Sequence, residues 1–243
     1  MKYNVIIADD RYPHYREETA VLSAIGANIV EIKSPLAADL IKACPSADGI
    51  IVNLAPINAD VIAALTRCRV ISRYGVGYDN VDVPAATAKR IWVANVPDYC
   101  GEDVSDQALA LLMSCVRKVA LRDRQVRAGV WNIQSAGPEW RIQGKTLVFF
   151  GFGQIARILH RKLSGFQLQR VLVYDPFIDE AAIRALGAEK AGLPTAEPGQ
   201  RHYYACGPGP MLAALDAFAS AGGYLRACAD GPVFSGGDLK WKE

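Results

Sequence analysis

The stretch VFFGFGQIA, residues 148–156, decides how the second half of this chain folds. An apolar run leads into GFGQIA, which has the form GxGxxA, and a helical pattern follows. Gly151 allows a tight turn, Gly153 lets the backbone approach a pyrophosphate, and the final alanine lets helix and strand pack closely. The amides at Gln154 and Ile155 then face the phosphates from the helix N-terminus. The pattern predicts a dinucleotide-binding turn, and a merely structural glycine turn is the alternative.

The next strand pattern ends in VLVYD, residues 171–175. Asp175 stands where a carboxylate takes both ribose hydroxyls and repels a 2′-phosphate. The sequence therefore predicts NAD rather than NADP as the cofactor, with Pro176 in the same site. The alternative for Asp175 is an ordinary turn residue at the end of a strand.

Strand and helix patterns alternate through the rest of the chain. Strands are predicted near 3–9, 28–32, 49–53, 68–74, 91–96, 146–150 and 171–174, with helices between them. Such alternation predicts the α/β class, with doubly wound parallel sheets. One long helix is predicted from about Glu102 to Gly129, and Pro97 before it predicts a boundary between residues 1–97 and 98–190. Two prolines and two glycines predict a linker at 191–201.

The composition describes a globular protein without a strongly charged face. Lys and Arg number 27 and Asp and Glu 25, spread along the chain, so we expect neither a nucleic-acid nor an anionic membrane partner. No apolar run reaches the length of a membrane span, and acidic residues near the start argue against a signal peptide. The six cysteines form no CxxC pair, which predicts reduced thiols, no metal site and a cytoplasmic location.

Two glycines flank Val76 in SRYGVGYDNVD, residues 72–82, where a strand pattern ends. Successive backbone amides in such a loop form a concave anion site, which suits a substrate carboxylate. An ordinary glycine turn explains the pattern equally well.

The chain resembles the D-isomer-specific 2-hydroxyacid dehydrogenases over about residues 3–190. The resemblance lies in ISRYGVGYDNVDVPAATAKRIWVANVPDYCGEDVSDQALALLMSCVRK, GKTLVFFGFGQIAR and VLVYDP, which occur in this order. The most similar branch has C-terminal-binding-protein-like and phosphoglycerate-dehydrogenase-like members. The resemblance implies a flavodoxin-like substrate domain at 1–97, a Rossmann NAD-binding domain at 98–190, and a 2-hydroxy or 2-keto acid as substrate.

The same resemblance implies roles for particular residues. Backbone amides of the Gly75–Gly77 loop, with Val76 between the glycines, would hold the substrate carboxylate, and Tyr74 would be a further substrate-binding residue. Val104, in EDVSDQ, would lie beside the nicotinamide. The family also implies a homodimer through the NAD-binding domain.

Three catalytic groups of that family are not found in this chain. The family uses an arginine in an ARG motif, a glutamate and a histidine, all beyond the matched region. The three histidines are instead predicted to lie in a loop (His14), on the outer face of a helix (His160) and at the start of a strand (His202). We therefore assign no catalytic residue and expect a truncated Rossmann domain with impaired turnover.

Residues 202–240 resemble the C-terminus of the electron-transfer subunit of dihydroorotate dehydrogenase, in the ferredoxin-reductase superfamily. The similar segments are YYACGPGPMLAALDAFA and GGYLRACADGPVFSGGDL. Cys228 matches the last ligand of a two-iron cluster, but the three preceding cysteines are missing, so no cluster is expected. Strand 202–206 would also fit as the third strand of the NAD sheet, which puts Cys206 and Pro208 near the cofactor under either ancestry.

The sequence is compatible with four functions. The leading one is an NAD-binding 2-hydroxyacid dehydrogenase with impaired turnover. The others are a non-catalytic, corepressor-like NAD-dependent binding protein, a fragment of a ferredoxin-reductase-type subunit, and a recombined chain without evolved activity.

Overall fold

The computed structural model describes residues 2–8, 12–34, 36–137, 139 and 141–192, and the backbone of 202–207 and 224–229. The chain divides into two compact units, Met1–Cys100 and Gly101–Glu243. The sequence predicted this boundary after Pro97. The predicted linker at 191–201 lies, from residue 193, outside the described residues.

The first unit is a five-stranded parallel sheet with helices between its strands. Its strands are β1 (Tyr3–Ile7), β2 (Ala27–Glu31), β3 (Gly49–Val52), β4 (Val70–Arg73) and β5 (Trp92–Ala94). Its helices are α1 (Arg16–Ser23), α2 (Ala37–Ala43), α3 (Ala59–Ala64) and α4 (Val83–Ala88). The strand order β2-β1-β3-β4-β5 is the flavodoxin-like order, so this part of the predicted fold is confirmed.

The β-branched runs of this unit form strands because both faces of a parallel sheet bury such side chains. Ile6, Ile50 and Ile71 come from three neighbouring strands and pack against Leu40 of α2 and Val61 of α3. Burying each of these side chains contributes about 1.5–3 kcal/mol to folding. The core of the first unit therefore holds the carboxyl ends of β3 and β4 in place.

The second unit contains a three-stranded parallel sheet in the order β6-β7-β8. Its elements are α5 (Gly101–Val116), α6 (Val119–Arg127), β6 (Thr146–Phe150), α7 (Gln154–Lys162), β7 (Arg170–Tyr174), α8 (Glu180–Ala185) and β8 (Glu189–Lys190). Phe149, Phe152, Val173 and Ile183 form its buried core. The strand–turn–helix–strand order predicted from the fingerprint is confirmed.

The predicted helix from Glu102 to Gly129 is wrong in one respect, because it is broken at Lys118. Lys118 takes a left-handed conformation with φ 54°, which ends α5 and starts α6. Its ammonium donates a hydrogen bond to the carbonyl of Ala136. This tertiary contact holds the residue in a conformation that costs a non-glycine residue energy, and helical periodicity does not reveal it.

The C-terminal strands form a second, separate ladder. β9 (His202–Gly207) pairs in parallel with β10 (Tyr224–Ala229). The third position in the β6 sheet belongs to β8, which the sequence did not identify. No ladder among the described strands joins β9 to β6, so the addition of strand 202–206 to that sheet stays a prediction.

Within the described part of the chain, no helix is long and apolar enough to cross a membrane.

Candidate functional site

The fingerprint forms a tight turn between β6 and α7. Gly151 has φ 86°, a left-handed conformation that favours glycine, and its amide donates to the carbonyl of Tyr174 at 2.8 Å. This bond ties the turn to the end of the neighbouring strand β7. The predicted role of Gly151 in the turn therefore has a direct geometric basis.

Phe152, between the two glycines, anchors the turn in the core. Its side chain is fully buried, with its ring centroid 5.5 Å from that of Phe149 and 5.8 Å from that of His160. Arg157, one turn into α7, donates from Nε to the Phe152 carbonyl at 2.9 Å. The sequence did not predict a role for Phe152, because the GxG pattern leaves the residue between the glycines unspecified.

Gly153 stands directly before α7 and faces open space. A Cβ built at this position meets no atom within 4 Å, and no side chain caps the helix. The first bond of the helix runs from Arg157 to the Gly153 carbonyl, which leaves the amides of Gln154 and Ile155 without a partner among the described residues. An uncapped helix N-terminus beside open space is suited to a phosphate group.

Asp175 is buried at the end of β7, with only 8% of its surface exposed. One carboxylate oxygen accepts a hydrogen bond from the Phe152 amide at 2.8 Å, and the other accepts one from the Phe177 amide at 2.9 Å. Each oxygen keeps a second lone pair for a further donor such as a ribose hydroxyl. Asp175 therefore also holds the fingerprint turn against β7, a structural role that the sequence did not predict. Pro176, which follows it, is exposed.

A broad hollow of about 900 Å³ lies alongside α7. The residues that line it include Glu102, Gly153, Gln154, Arg157, His160 and Leu186. It therefore adjoins the uncapped helix N-terminus and carries basic side chains.

His160 does not lie on the outer face of α7, so that prediction is wrong. The ring contacts Phe152, and Nε2 donates to the Leu186 carbonyl at 2.8 Å, just after α8. This bond fixes the ring between α7 and α8 because it satisfies a carbonyl at a helix end. The other two predictions hold: His14 lies in the loop before α1, and His202 opens β9.

Ion pairs connect α5 to α7 near the fingerprint helix. Lys162 donates to Asp106, and its Nζ lies 2.9 Å from a Glu102 carboxylate oxygen. The hydrogen bond from Lys162 lowers the pKa of Glu102, and the bond to Asp106 raises the pKa of Lys162. Val104, predicted to lie beside a nicotinamide, is a partly exposed residue of α5 in the same region, and its role stays a prediction.

The glycine loop after β4 is the second candidate site. Gly75 has φ 103°, and a Cβ there would clash with an Arg73 guanidinium nitrogen. The Val96 amide donates to the Gly75 carbonyl at 3.0 Å, and Asn95 donates to the Val76 carbonyl at 2.7 Å. These bonds occupy the carbonyls of the loop, and no described residue accepts from the amides of Val76 or Gly77. The loop therefore presents free donors, as an anion site requires.

Tyr74, directly before this loop, reaches back to α1. Its hydroxyl donates to a Glu18 carboxylate oxygen at 2.6 Å. Burial, with this hydrogen bond, raises the pKa of Tyr74 well above its usual range, so the phenol stays protonated. The sequence predicted Tyr74 in the site but missed Glu18, because the pairing depends on how α1 packs.

The side chains of four cysteines are described, and none of them is in a disulfide: Cys44, Cys68, Cys100 and Cys115. Burial raises the pKa of Cys44 to about 11, so this thiol is a poor nucleophile. Of the two remaining site residues predicted from sequence, Cys206 lies in β9, whose backbone alone is described, and Pro208 lies outside the described residues.

Comparison with known proteins identifies a family that matches this chain. Residues 5–227 match the profile of the family described as D-isomer specific 2-hydroxyacid dehydrogenase, catalytic domain. The match covers most of the chain and extends into the C-terminal strands.

Individual relatives agree with that match. The chain is 34% identical to the D-3-phosphoglycerate dehydrogenase of Mycobacterium bovis over 194 residues, which are 78% of this chain and 35% of the relative. It is 37% identical to the glyoxylate reductase of Korarchaeum cryptofilum over 146 residues, 57% of this chain and 42% of the relative. The chain thus spans less than half the length of these curated relatives.

A solved structure shares the fold. It is the NAD-dependent formate dehydrogenase from Staphylococcus aureus, crystallised in complex with NAD, and it matches with a TM-score of 0.66 and 23% identity. The match covers 78% of this chain and 60% of that one.

Proposed function

The chain belongs to the D-isomer-specific 2-hydroxyacid dehydrogenase family, and on that premise we propose that it binds NAD(H) and a 2-hydroxy or 2-keto acid. We further propose that the 243-residue chain by itself transfers hydride very slowly. One observation carries the first part: an uncapped helix N-terminus beside Gly153 lies directly next to the buried carboxylate of Asp175.

The residues present fit a dinucleotide. Gly153 leaves space for the pyrophosphate, the amides of Gln154 and Ile155 are free donors, and Asp175 has lone pairs for the ribose hydroxyls. Bound NADH supplies a hydride to the substrate carbonyl. The chain's own contribution is binding and orientation, with Val104 and Pro176 as further cofactor contacts.

Cofactor selectivity should depend on the charge of Asp175. Replacing it with asparagine removes the charge that repels a 2′-phosphate, while the amide oxygen still accepts a backbone hydrogen bond. We expect the unmodified protein to bind NADH more tightly than NADPH. Asp175→Asn should reduce the ratio of the two dissociation constants about tenfold, which corresponds to 1.4 kcal/mol. Fluorescence titration with both cofactors measures the gap.

Asp179→Asn is the matched control. Asp179 caps α8 by accepting from the Ala182 amide at 2.7 Å, and asparagine caps helices equally well. This variant should keep the preference of the unmodified protein. Equal affinity of the unmodified protein for NADH and NADPH contradicts the role proposed for Asp175.

The proposed substrate site is the loop formed by Tyr74, Gly75, Val76 and Gly77. The amide of Tyr74 donates to the Val52 carbonyl, but the free amides of Val76 and Gly77 suit a carboxylate, the group that every 2-hydroxy and 2-keto acid carries. The names of the two curated relatives, a phosphoglycerate dehydrogenase and a glyoxylate reductase, fit this substrate class.

A second candidate is a non-catalytic protein whose partner binding depends on NAD. Two of the three histidines favour it: the His160 ring is held by the Leu186 carbonyl, and His14 is half exposed near Glu17. Neither contact is the donor that hydride transfer to a carbonyl needs.

The resemblance of residues 202–240 to a ferredoxin-reductase-type subunit, and with it a fusion origin, stays a prediction. The family match extends to residue 227 and so favours the dehydrogenase ancestry for much of this segment.

We propose a homodimer through the second unit. Trp131 and Ile133, which follow α6, expose 90% and 78% of their surfaces, and most apolar residues of α5 are only half-buried. Exposed apolar side chains such as these are candidates for an interface. The double variant Trp131→Gln/Ile133→Gln should shift the protein from dimer to monomer in sedimentation velocity.

Phe177→Gln is the control for this experiment, because Phe177 is an equally exposed aromatic residue, at 94%. It should leave the dimer intact. A monomeric unmodified protein, or a double variant that stays dimeric, refutes the proposed interface.

A further inference from the structure

Helix α1 is connected to the proposed substrate loop by one hydrogen bond. From this contact we propose that the bond from Tyr74 to Glu18 is a positioning device that holds the Gly75–Gly77 loop in its anion-binding conformation. The inference rests on the proposed function, since it concerns affinity for the substrate carboxylate. Tyr74 acts through its backbone neighbours, and Glu18 acts through Tyr74.

The bond itself is short and charge-assisted. At 2.6 Å, the phenol-to-carboxylate distance lies in the range of strong O–H···O⁻ bonds. The raised pKa of Tyr74 keeps the phenol as the donor, and its first cause is burial. The other Glu18 oxygen is buried without a partner among the described residues, so Tyr74 is the main described support of that carboxylate.

Three contacts fix Tyr74 in place. Its hydroxyl is held by Glu18, its backbone amide donates to the Val52 carbonyl at 2.8 Å, and the Tyr12 ring packs edge-on against its ring at 5.1 Å. Strand β3 and helix α1 therefore both determine how the chain enters the loop. Among the contacts of the described residues, loss of the hydroxyl bond leaves the Tyr74 side chain packed against the Tyr12 ring.

The loop after Tyr74 needs this support because Gly75 is conformationally free. A glycine at φ 103° can leave that region without steric cost. Beyond it, the Val76 carbonyl is fixed by Asn95 and the Gly75 carbonyl by Val96. With both flanks fixed, the free amides of Val76 and Gly77 are held in one arrangement, so a carboxylate would meet prearranged donors.

The test uses three single variants of the whole chain. Tyr74→Phe removes the donor, Glu18→Gln keeps a neutral acceptor, and Tyr12→Phe removes a neighbouring phenol that does not contact Glu18. Binding of oxamate, an unreactive 2-keto acid analogue, is measured by calorimetry with NADH present. We expect Tyr74→Phe to weaken oxamate binding about tenfold. Tyr12→Phe should stay within about twofold, and Glu18→Gln, which keeps an acceptor but loses the charge, should weaken oxamate binding less than Tyr74→Phe does.

A second readout separates positioning from folding. In amide NMR spectra, the resonances of Val76 and Gly77 should shift in Tyr74→Phe but not in Tyr12→Phe, at comparable melting temperatures. If Tyr74→Phe does not fold, Glu18→Leu replaces it and must give the same loss. Unchanged oxamate affinity and unchanged loop resonances in the folded variant overturn the inference.

Failure of the proposed function gives a different result. If the unmodified protein does not bind oxamate, the substrate site is refuted. The amide resonances of Val76 and Gly77 then test whether Tyr74 positions the loop, because they report on the loop without a ligand.

Discussion

Replacing Gly153 with valine is expected to weaken NADH binding on the order of 100-fold, while the melting temperature falls only slightly because valine is a poorer helix N-cap than glycine. The backbone there has φ −68° and ψ −171°, which any residue adopts. A Cβ meets nothing within 4 Å, so the fold has room for the side chain. Valine would instead occupy the space from which a pyrophosphate reaches the amides of Gln154 and Ile155, and two hydrogen bonds to a charged group would be lost.

Two other glycines serve as controls for this experiment. Gly165→Val lies in the turn Leu163–Phe166, where a Cβ also meets nothing within 4 Å, and should change neither binding nor stability. Gly151→Ala places a side chain at φ 86° and should destabilise the second unit. Calorimetry for NADH and thermal unfolding are measured on all three. If a folded Gly153→Val protein keeps its NADH affinity, the proposed binding of NADH at the fingerprint is wrong.

Reduction of 2-keto acids by the purified chain is expected to be at background, at least about 10⁴-fold below a complete active site. The loop amides at Gly75–Gly77 can orient a carboxylate, and positioning alone speeds a reaction. They supply neither a proton for the developing alkoxide nor an arginine for the carbonyl. The loss of NADH absorbance with glyoxylate, pyruvate and hydroxypyruvate measures the rate.

Histidine variants test the reason for that low rate. If the unmodified chain turns over rapidly and His14→Gln, His160→Gln or His202→Gln abolishes the activity, the assignment of no catalytic residue is wrong. Glutamine at 160 places its amide nitrogen where His160 Nε2 donates to the Leu186 carbonyl, so loss of activity in a variant that folds normally reports on chemistry.

Much of the fold was predictable because its signals are local. The apolar runs of β1, β3 and β6 and the glycine pattern at 151–153 each encode an element within a few residues. Their order along the chain predicts doubly wound parallel sheets, and the order β2-β1-β3-β4-β5 confirms one of them.

The remaining features depend on contacts between distant residues. The break at Lys118 rests on the Ala136 carbonyl, and the position of His160 rests on the Leu186 carbonyl. The short strand β8 has only two residues, too few for a period to appear. Periodicity carries no information about such pairs.

The residues of the candidate site also fall into a predictable group and an unpredictable group. Glycines at 75, 77, 151 and 153 were predictable because their spacing has a direct physical meaning. The second role of Asp175, bonded to the amides of Phe152 and Phe177, and the bond from Tyr74 to Glu18 were not. Both arise where one element packs on another.

The most direct test of the account is to map NADH on the unmodified chain by amide NMR during a titration. Binding at the fingerprint predicts saturable shifts of the amide resonances of Gly153, Gln154 and Ile155, at the start of α7. Shifts that never saturate, or that leave these three amides unmoved while other residues respond, would contradict the claim that this chain binds NAD(H) at its fingerprint.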